Sequence, residues 1–124
     1  MTQVLAIAAG GAAGALMRFW SSQAVHGIFG RDFPYGTLFV NVTGSLLMGF
    51  LYTLLIDRLL VAPEWRGAIL VGFLGAFTTF STFSLETLNL VEMGEPLKAG
   101  VNVIFSVVLC LMAAWLGLSL GRQV

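Results

Sequence analysis

Cysteine occurs once in this chain, at position 110, which excludes an intrachain disulfide and leaves no cysteine pattern from which to read a redox compartment. Histidine also occurs once. His26 has no second His or Cys at metal-ligand spacing, so it reads as an interfacial side chain near a span end rather than a ligand. Charge is equally scarce: six Lys or Arg balance six Asp or Glu, 10% of the residues in all, where a soluble domain carries about a quarter. With zero net charge and no basic run, neither nucleic acid nor an anionic lipid surface is expected as the main partner. No grouping of nucleophile, base and acid suggests catalysis, so the chain is not expected to be an enzyme. No positive charge precedes the first apolar run and no clear cleavage context follows it, so the N-terminus is expected to stay in the mature protein.

What is present is hydrophobic. Apolar residues make up 58% of the sequence and fall into runs at about 4–25, 36–56, 66–92 and 97–120. Each run is long enough to cross a hydrocarbon layer of about 30 Å at about 1.5 Å per helical residue. The breaks hold Gly30, Arg31, Asp32 and Pro34, then Asp57, Arg58, Pro63 and Glu64, then Glu92, Gly94, Glu95 and Pro96, all short loops. Trp20, Tyr35 and Trp65 lie near span ends, where amphipathic rings prefer to sit. The fold class read from this pattern is an all-α membrane protein, one transmembrane domain over residues 1–124 with four helices in contact with membrane lipid.

Four spans put both termini and the loop between the second and third spans on one side. That side carries Arg58, Arg66 and Arg122; the other carries Arg31 and Lys98, with Arg18 able to reach the same interface by snorkelling. Because an excess of Lys and Arg normally sets orientation, an even count gives little reason to insert one way only. The balance predicts dual topology and an antiparallel homodimer about a two-fold axis in the membrane plane, against the alternative of a weakly biased chain oriented by other means. Gly10 with Gly14, and Gly11 with Ala15, are small-xxx-small pairs suited to close helix contact, within one subunit or at a dimer seam.

The third span contains "TTFSTFS" at 78–84, five hydroxyls and two phenylalanines in seven positions. A hydroxyl in hydrocarbon is costly without a partner, so such a run requires an explanation. Treated as one helix, residues 77–86 put Thr78, Ser81 and Thr82 on one side, Phe80 and Phe83 roughly opposite, and Ser84 on the flank. Hydroxyl donors and the positive edges of phenyl rings both suit a small dehydrated anion; hydroxyls bonded back to the preceding turn, with the rings filling core, are the plainer alternative. Thr37, Asn41 and Ser45 repeat every four residues in the second span, as do Asn102, Ser106 and Cys110 in the fourth below Lys98, so a polar track is expected. Glu86 is the one acid placed to lie within the membrane, at a vestibule, as a proton carrier or as a cap. Gly72 and Gly75 permit a helix break, although their spacing alone fits a continuous helix with packing glycines better.

Three stretches, "GALMR" ending at Arg18, "NVTGSLLMG" at 41–49 and "GFLGAFTTFSTFSLET" at 72–87, resemble the Fluc/CrcB fluoride channels, a resemblance that extends over essentially the whole chain. It implies a dual-topology homodimer in the bacterial inner membrane that passes fluoride passively out of the cytoplasm through two antiparallel pores, conferring fluoride resistance. By position, Phe80 and Phe83 would be the rings that meet fluoride, Asn41 a nearby donor, and Ser81, Thr82, Ser106 and Cys110 members of the polar track. Arg18 would be structural or vestibular. The resemblance further implies a third helix interrupted near its middle, where backbone carbonyls of Gly75 and Thr78 hold a structural sodium ion at the dimer centre. Departures are Ala76 in place of a second glycine, Phe77 where leucine is usual, Cys110 where serine is common, and Asn102 at a variable position.

Two rival readings remain at this stage. A small multidrug transporter also has four spans, but it resembles its relatives in an acidic residue within the first span, and none is present here. A non-transporting assembly subunit would use its polar stripes only to pair helices.

Overall fold

The computed structural model describes residues 1–58 and 60–124, and every regular element among them is helical. In chain order these are α1 (Thr2–Phe29), α2 (Tyr35–Tyr52), a π-helical turn at Thr53–Asp57, α3 (Pro63–Arg66), a π-helical stretch at Gly67–Leu74, α4 (Gly75–Phe77), α5 (Phe80–Glu92) and α6 (Pro96–Gln123). Four segments are long and apolar enough to cross a membrane: Thr2–Phe29, Tyr35–Asp57, Pro63–Glu92 and Pro96–Gln123. Each overruns the apolar run that predicts it by up to a few residues. Helical bonding continues past the last apolar side chain until something stops it. At two ends the stop is a glycine with positive φ, Gly30 (86°) after α1 and Gly94 (80°) beyond α5, a conformation that other residues resist. At two starts it is Pro63 or Pro96, whose missing N–H is no loss in a first turn.

The interior is built mainly from small residues. A Cβ on Gly10 or Gly14 would collide with the carbonyl oxygens of Ala68 and Phe73, so these glycines seat α1 directly on the 67–74 backbone. Of the two uses open to that pair, packing within one subunit is the one it serves. On the other side, Gly49 lies against the Ala114 carbonyl and Gly117 against the Leu46 carbonyl, which brings α2 and α6 into backbone contact. Leu55, Leu70 and Leu74 form a buried apolar cluster, while Phe19, Leu111, Trp65 and Trp115 point outward. Apolar side chains outside and glycine seams inside suit a chain whose solvent is lipid.

Candidate functional site

The hydroxyl-rich run does not form a single helix. α4 ends at Phe77, Thr78 (φ −86°, ψ 157°) and Thr79 (φ −151°, ψ 116°) are extended, and α5 begins at Phe80. Treating 77–86 as one helix is therefore corrected, and the reason lies on α2. The Thr79 N–H, which a continuous helix would direct to the Gly75 carbonyl, donates instead to Asn41 Oδ1 at 2.7 Å. Asn41 Nδ2 in turn donates to the Thr79 carbonyl at 3.0 Å. One side-chain amide thus satisfies both polar groups of one backbone residue, as a neighbouring strand would. Thr79 also caps α5, its Oγ1 accepting the Thr82 N–H at 3.2 Å. That bond takes from the Thr78 carbonyl the amide it would otherwise receive. Gly44, one turn along α2 from Asn41, makes the approach possible, because a Cβ there would strike Thr78 Cγ2.

The hydroxyls divide into two kinds. Thr78 Oγ1 donates to the Leu74 carbonyl at 3.0 Å and Ser84 Oγ to the Phe80 carbonyl at 2.9 Å, the plain back-bonding arrangement. Thr79, Ser81 and Thr82 form a cluster instead. Thr79 Oγ1 donates to Thr82 Oγ1 at 3.0 Å and lies 3.4 Å from Ser81 Oγ. A hydroxyl has one hydrogen, so this arrangement leaves the hydrogen of Thr82 free for a partner beyond the cluster.

Three cavities adjoin this cluster or lead to it. The innermost, about 430 Å³, is lined by Asn41, Thr79, Phe80, Phe83, Ser106 and Cys110, among others. The Phe80 and Phe83 rings stand 5.3 Å apart at 44°. Phe83 is buried, whereas Phe80 is 76% exposed. The rings therefore share a wall with Asn41 and Thr79 rather than opposing them across a helix. A second cavity of about 260 Å³ has Arg18, Thr37, Thr79, Thr82 and Glu86 in its lining. The third, about 340 Å³, includes Glu86, Asn89, Glu95 and Lys98. Thr79 borders the first and second cavities; His26, Arg31 and Glu86 border the second and third. Ser81 is exposed and borders none of these spaces, and Gly75 lies apart from them.

Glu86 Oε1 is buried without a hydrogen-bond partner, while Lys98 Nζ lies 3.9 Å from Glu95 and Arg31 Nη2 donates to Gln23 at 2.6 Å. No grouping of three or more His, Cys, Asp or Glu with metal-binding geometry occurs among the described residues.

The two polar stripes follow different courses. On α2, Thr37 faces the second cavity while Asn41 and Ser45 face the first. On α6, Ser106 and Cys110 face the first cavity, but Asn102 is buried at 2% exposure and ties α6 to α5. Ser106 Oγ donates to Asn102 Oδ1 at 3.3 Å, Asn102 Nδ2 to Thr87 Oγ1 at 2.9 Å, and Thr87 Oγ1 to the Phe83 carbonyl at 2.8 Å. Thr79 as cap and clamp partner, and Thr87 as relay, are the residues that sequence reasoning missed. A hydroxyl three positions before the backbone N–H that it caps is a helix-start signal, hidden here among four other hydroxyls.

Comparison with known proteins follows the same elements. The family described as "CrcB-like protein, Camphor Resistance (CrcB)" matches residues 5–118. A protein of Methylococcus capsulatus named "Fluoride-specific ion channel FluC" is 63% identical over 120 residues, covering 97% of this chain and 53% of that relative. The chain thus spans about half the length of that protein. Proteins of the same name from Coxiella burnetii (49% over 121 residues, 97% of this chain and 98% of the relative) and Magnetococcus marinus (52% over 122 residues, 98% and 99%) match nearly end to end.

Proposed function

Because this chain belongs to the CrcB-like family, as a multi-pass membrane protein with four helices able to span, we propose that it is a fluoride-selective channel. It lets fluoride leave the cytoplasm passively, confers fluoride resistance, and is not an enzyme. The observation that carries this reading is the sequence of shared linings: a charged outer cavity, a hydroxyl-lined middle one and a phenyl-walled inner one, joined through His26, Arg31 and Glu86 and then through Thr79. Such a series replaces water gradually. Fluoride meets charge first, then the Thr82 hydroxyl and the remaining N–H of Asn41, and then the ring edges of Phe80 and Phe83, while Ser106, whose hydrogen goes to Asn102 Oδ1, shapes the wall of the inner cavity. Fixed charge lines the second and third cavities and is absent from the lining of the phenyl-walled first, which favours rapid exit of the ion from the innermost sites. Cys110 belongs to the same track in this reading and Arg18 and Glu86 to its vestibule, while Ser81, which borders none of the three cavities, reaches the track only through Thr79 Oγ1, 3.4 Å away.

The working unit is an antiparallel homodimer in the bacterial inner membrane, with a break in the third spanning segment at mid-depth and one pore per subunit. Support comes from the even sidedness of Lys and Arg and from Phe80, a large apolar ring that one subunit leaves uncovered beside an open cavity. The inside-negative potential drives the anion outward, so no further energy source is required.

The residues fit a structural sodium ion at the dimer centre. With the Thr79 and Thr82 amides drawn to Asn41 Oδ1 and Thr79 Oγ1, the Gly75 and Thr78 carbonyl oxygens lose their helical donors. These are hard, neutral ligands suited to a hard cation. Two from each copy would hold it, neutralising part of the oxygen dipoles that the break leaves exposed.

Proteoliposomes loaded with fluoride test the function directly. The expected result is rapid, proton-independent fluoride efflux with negligible chloride flux; efflux no faster than from empty vesicles overturns it. A small multidrug-resistance-type exchanger would instead give proton-coupled cation flux, and the first helix lacks the acid which that chemistry requires.

A further inference from the structure

Ser106 lines the inner cavity together with Phe80 and Phe83, yet its hydrogen points elsewhere. A hydroxyl carries a single hydrogen, and the direction of this one is fixed from the far end of the relay between α5 and α6. A backbone carbonyl only accepts, so Thr87 Oγ1, 2.8 Å from the Phe83 oxygen, gives its hydrogen there. Toward Asn102 it can then only accept, which turns the amide nitrogen of Asn102 to Thr87, at 2.9 Å. The amide oxygen is left for Ser106, at 3.3 Å, and an amide oxygen accepts. Each bond dictates the next, and the last commits the Ser106 hydrogen to Asn102.

Burial makes that commitment firm. Asn102 is 2% exposed, so an Oδ1 stripped of its donor would stay unpartnered in the interior. An anion that drew the hydrogen to itself would gain a charge-assisted bond but would also carry the penalty of the stranded amide oxygen. A hydroxyl bonded back to a carbonyl of its own helix, as Ser84 is, releases its hydrogen more readily, because that carbonyl keeps its helical N–H. Asn102 therefore does what the backbone alone would not. It removes a donor from the wall beside the rings, and weaker holding suits a site that an ion has to leave quickly.

We propose that Asn102 is the affinity-setting residue of the inner cavity: by holding the Ser106 hydrogen it keeps fluoride loosely bound beside Phe80 and Phe83, and so keeps conduction fast. Asn102 acts through Ser106 and does not itself line that cavity. The proposal rests on the reading of the chain as a fluoride channel.

The test is the initial rate of fluoride efflux from proteoliposomes as a function of the fluoride loaded, which separates the half-saturating concentration from the maximal rate. Asn102→Leu keeps the branching of the side chain, removes its polar atoms and leaves Thr87 its bond to the Phe83 carbonyl. It frees the Ser106 hydrogen for the ion, so the half-saturating concentration is expected to fall about tenfold, the effect of one added hydrogen bond to a charged group, and the maximal rate to fall with the slower exit. Adding Ser106→Ala to Asn102→Leu takes that hydrogen away and is expected to return the half-saturating concentration to the wild-type value. A tie that merely fastened α6 to α5 would give no such dependence on the Ser106 hydroxyl. Asn102→Ala, which cannot overpack the site, makes the same comparison should the leucine variant fail to assemble. A half-saturating concentration that is unchanged or raised in the Asn102 variants, one that stays low when Ser106→Ala is added, or a loss of flux in both Asn102 variants overturns the proposal. A wild type that conducts no fluoride refutes the channel reading instead.

Discussion

Asn41 directs its carbonyl oxygen and one amide hydrogen at Thr79, which leaves a single N–H for the inner cavity it lines. Aspartate has nearly the same shape and retains the acceptor for the Thr79 N–H, but it has no hydrogen for the Thr79 carbonyl and none for an anion. It also brings a carboxylate toward both. Asn41→Asp is therefore expected to lower fluoride efflux by at least about tenfold, the effect of roughly 1.4 kcal/mol, within the range for an unsatisfied buried polar group. Phe80→Ile separates ring chemistry from bulk, because isoleucine is apolar but has no positive edge. A loss of similar size is expected there, with dimer crosslinking unchanged in both variants. Efflux at the wild-type rate from either one would remove that residue from the pathway.

At the scale of elements, two devices hold α5 and its rings in place. Thr79 caps its first turn, and the chain from Ser106 through Asn102 and Thr87 to the Phe83 carbonyl ties it to α6. The glycine seams hold the other helices, and they give a sharp contrast between positions. Gly14 and Gly117 each abut a carbonyl oxygen of a neighbouring helix, while a Cβ on Gly100 meets nothing within 4 Å. Gly14→Leu and Gly117→Leu are expected to abolish the folded state in detergent thermal scans. Gly100→Ala should be neutral or stabilising by up to ~1 kcal/mol, since alanine is the better helix former. Equal destabilisation in all three would mean that the seams are not the limiting contacts. Helices and loops were legible in the sequence because apolar run length, Pro63, Pro96, Gly30 and Gly94 are local signals. So were the hydroxyl run and the i, i+4 stripes. The pairing of Asn41 with Thr79, 38 positions apart, was not. Periodicity says which face a side chain occupies but not which peptide it meets, and for that reason residues 77–86 read as a helix until Asn41 offered Thr79 another partner. Asn102 was underrated for the same reason: its importance lies in Thr87, on another element.

At the scale of the molecule, sidedness depends on very few charges. Arg58, Arg66 and Arg122 stand against Arg31, Lys98 and Arg18, and Arg122 is the most separable of them. Its side chain is exposed, and the contact it makes with Arg58 is through its backbone oxygen, which accepts from Arg58 Nη2 at 3.2 Å. Arg122→Gln therefore removes a charge and keeps that bond. Reporters fused to the C-terminus of the wild type are expected to be active on both faces of the membrane, in comparable amounts. In Arg122→Gln the count falls to two against three, so the face bearing Arg18, Arg31 and Lys98 is favoured inside and the C-terminal reporter moves to the non-cytoplasmic face. Antiparallel pairing needs both orientations, so fluoride efflux from cells carrying that variant should fall with the scarcer orientation, and coexpression with a copy biased the opposite way should restore it. Uniform insertion of the wild type, or full efflux from a population inserted one way only, would be incompatible with the antiparallel pair.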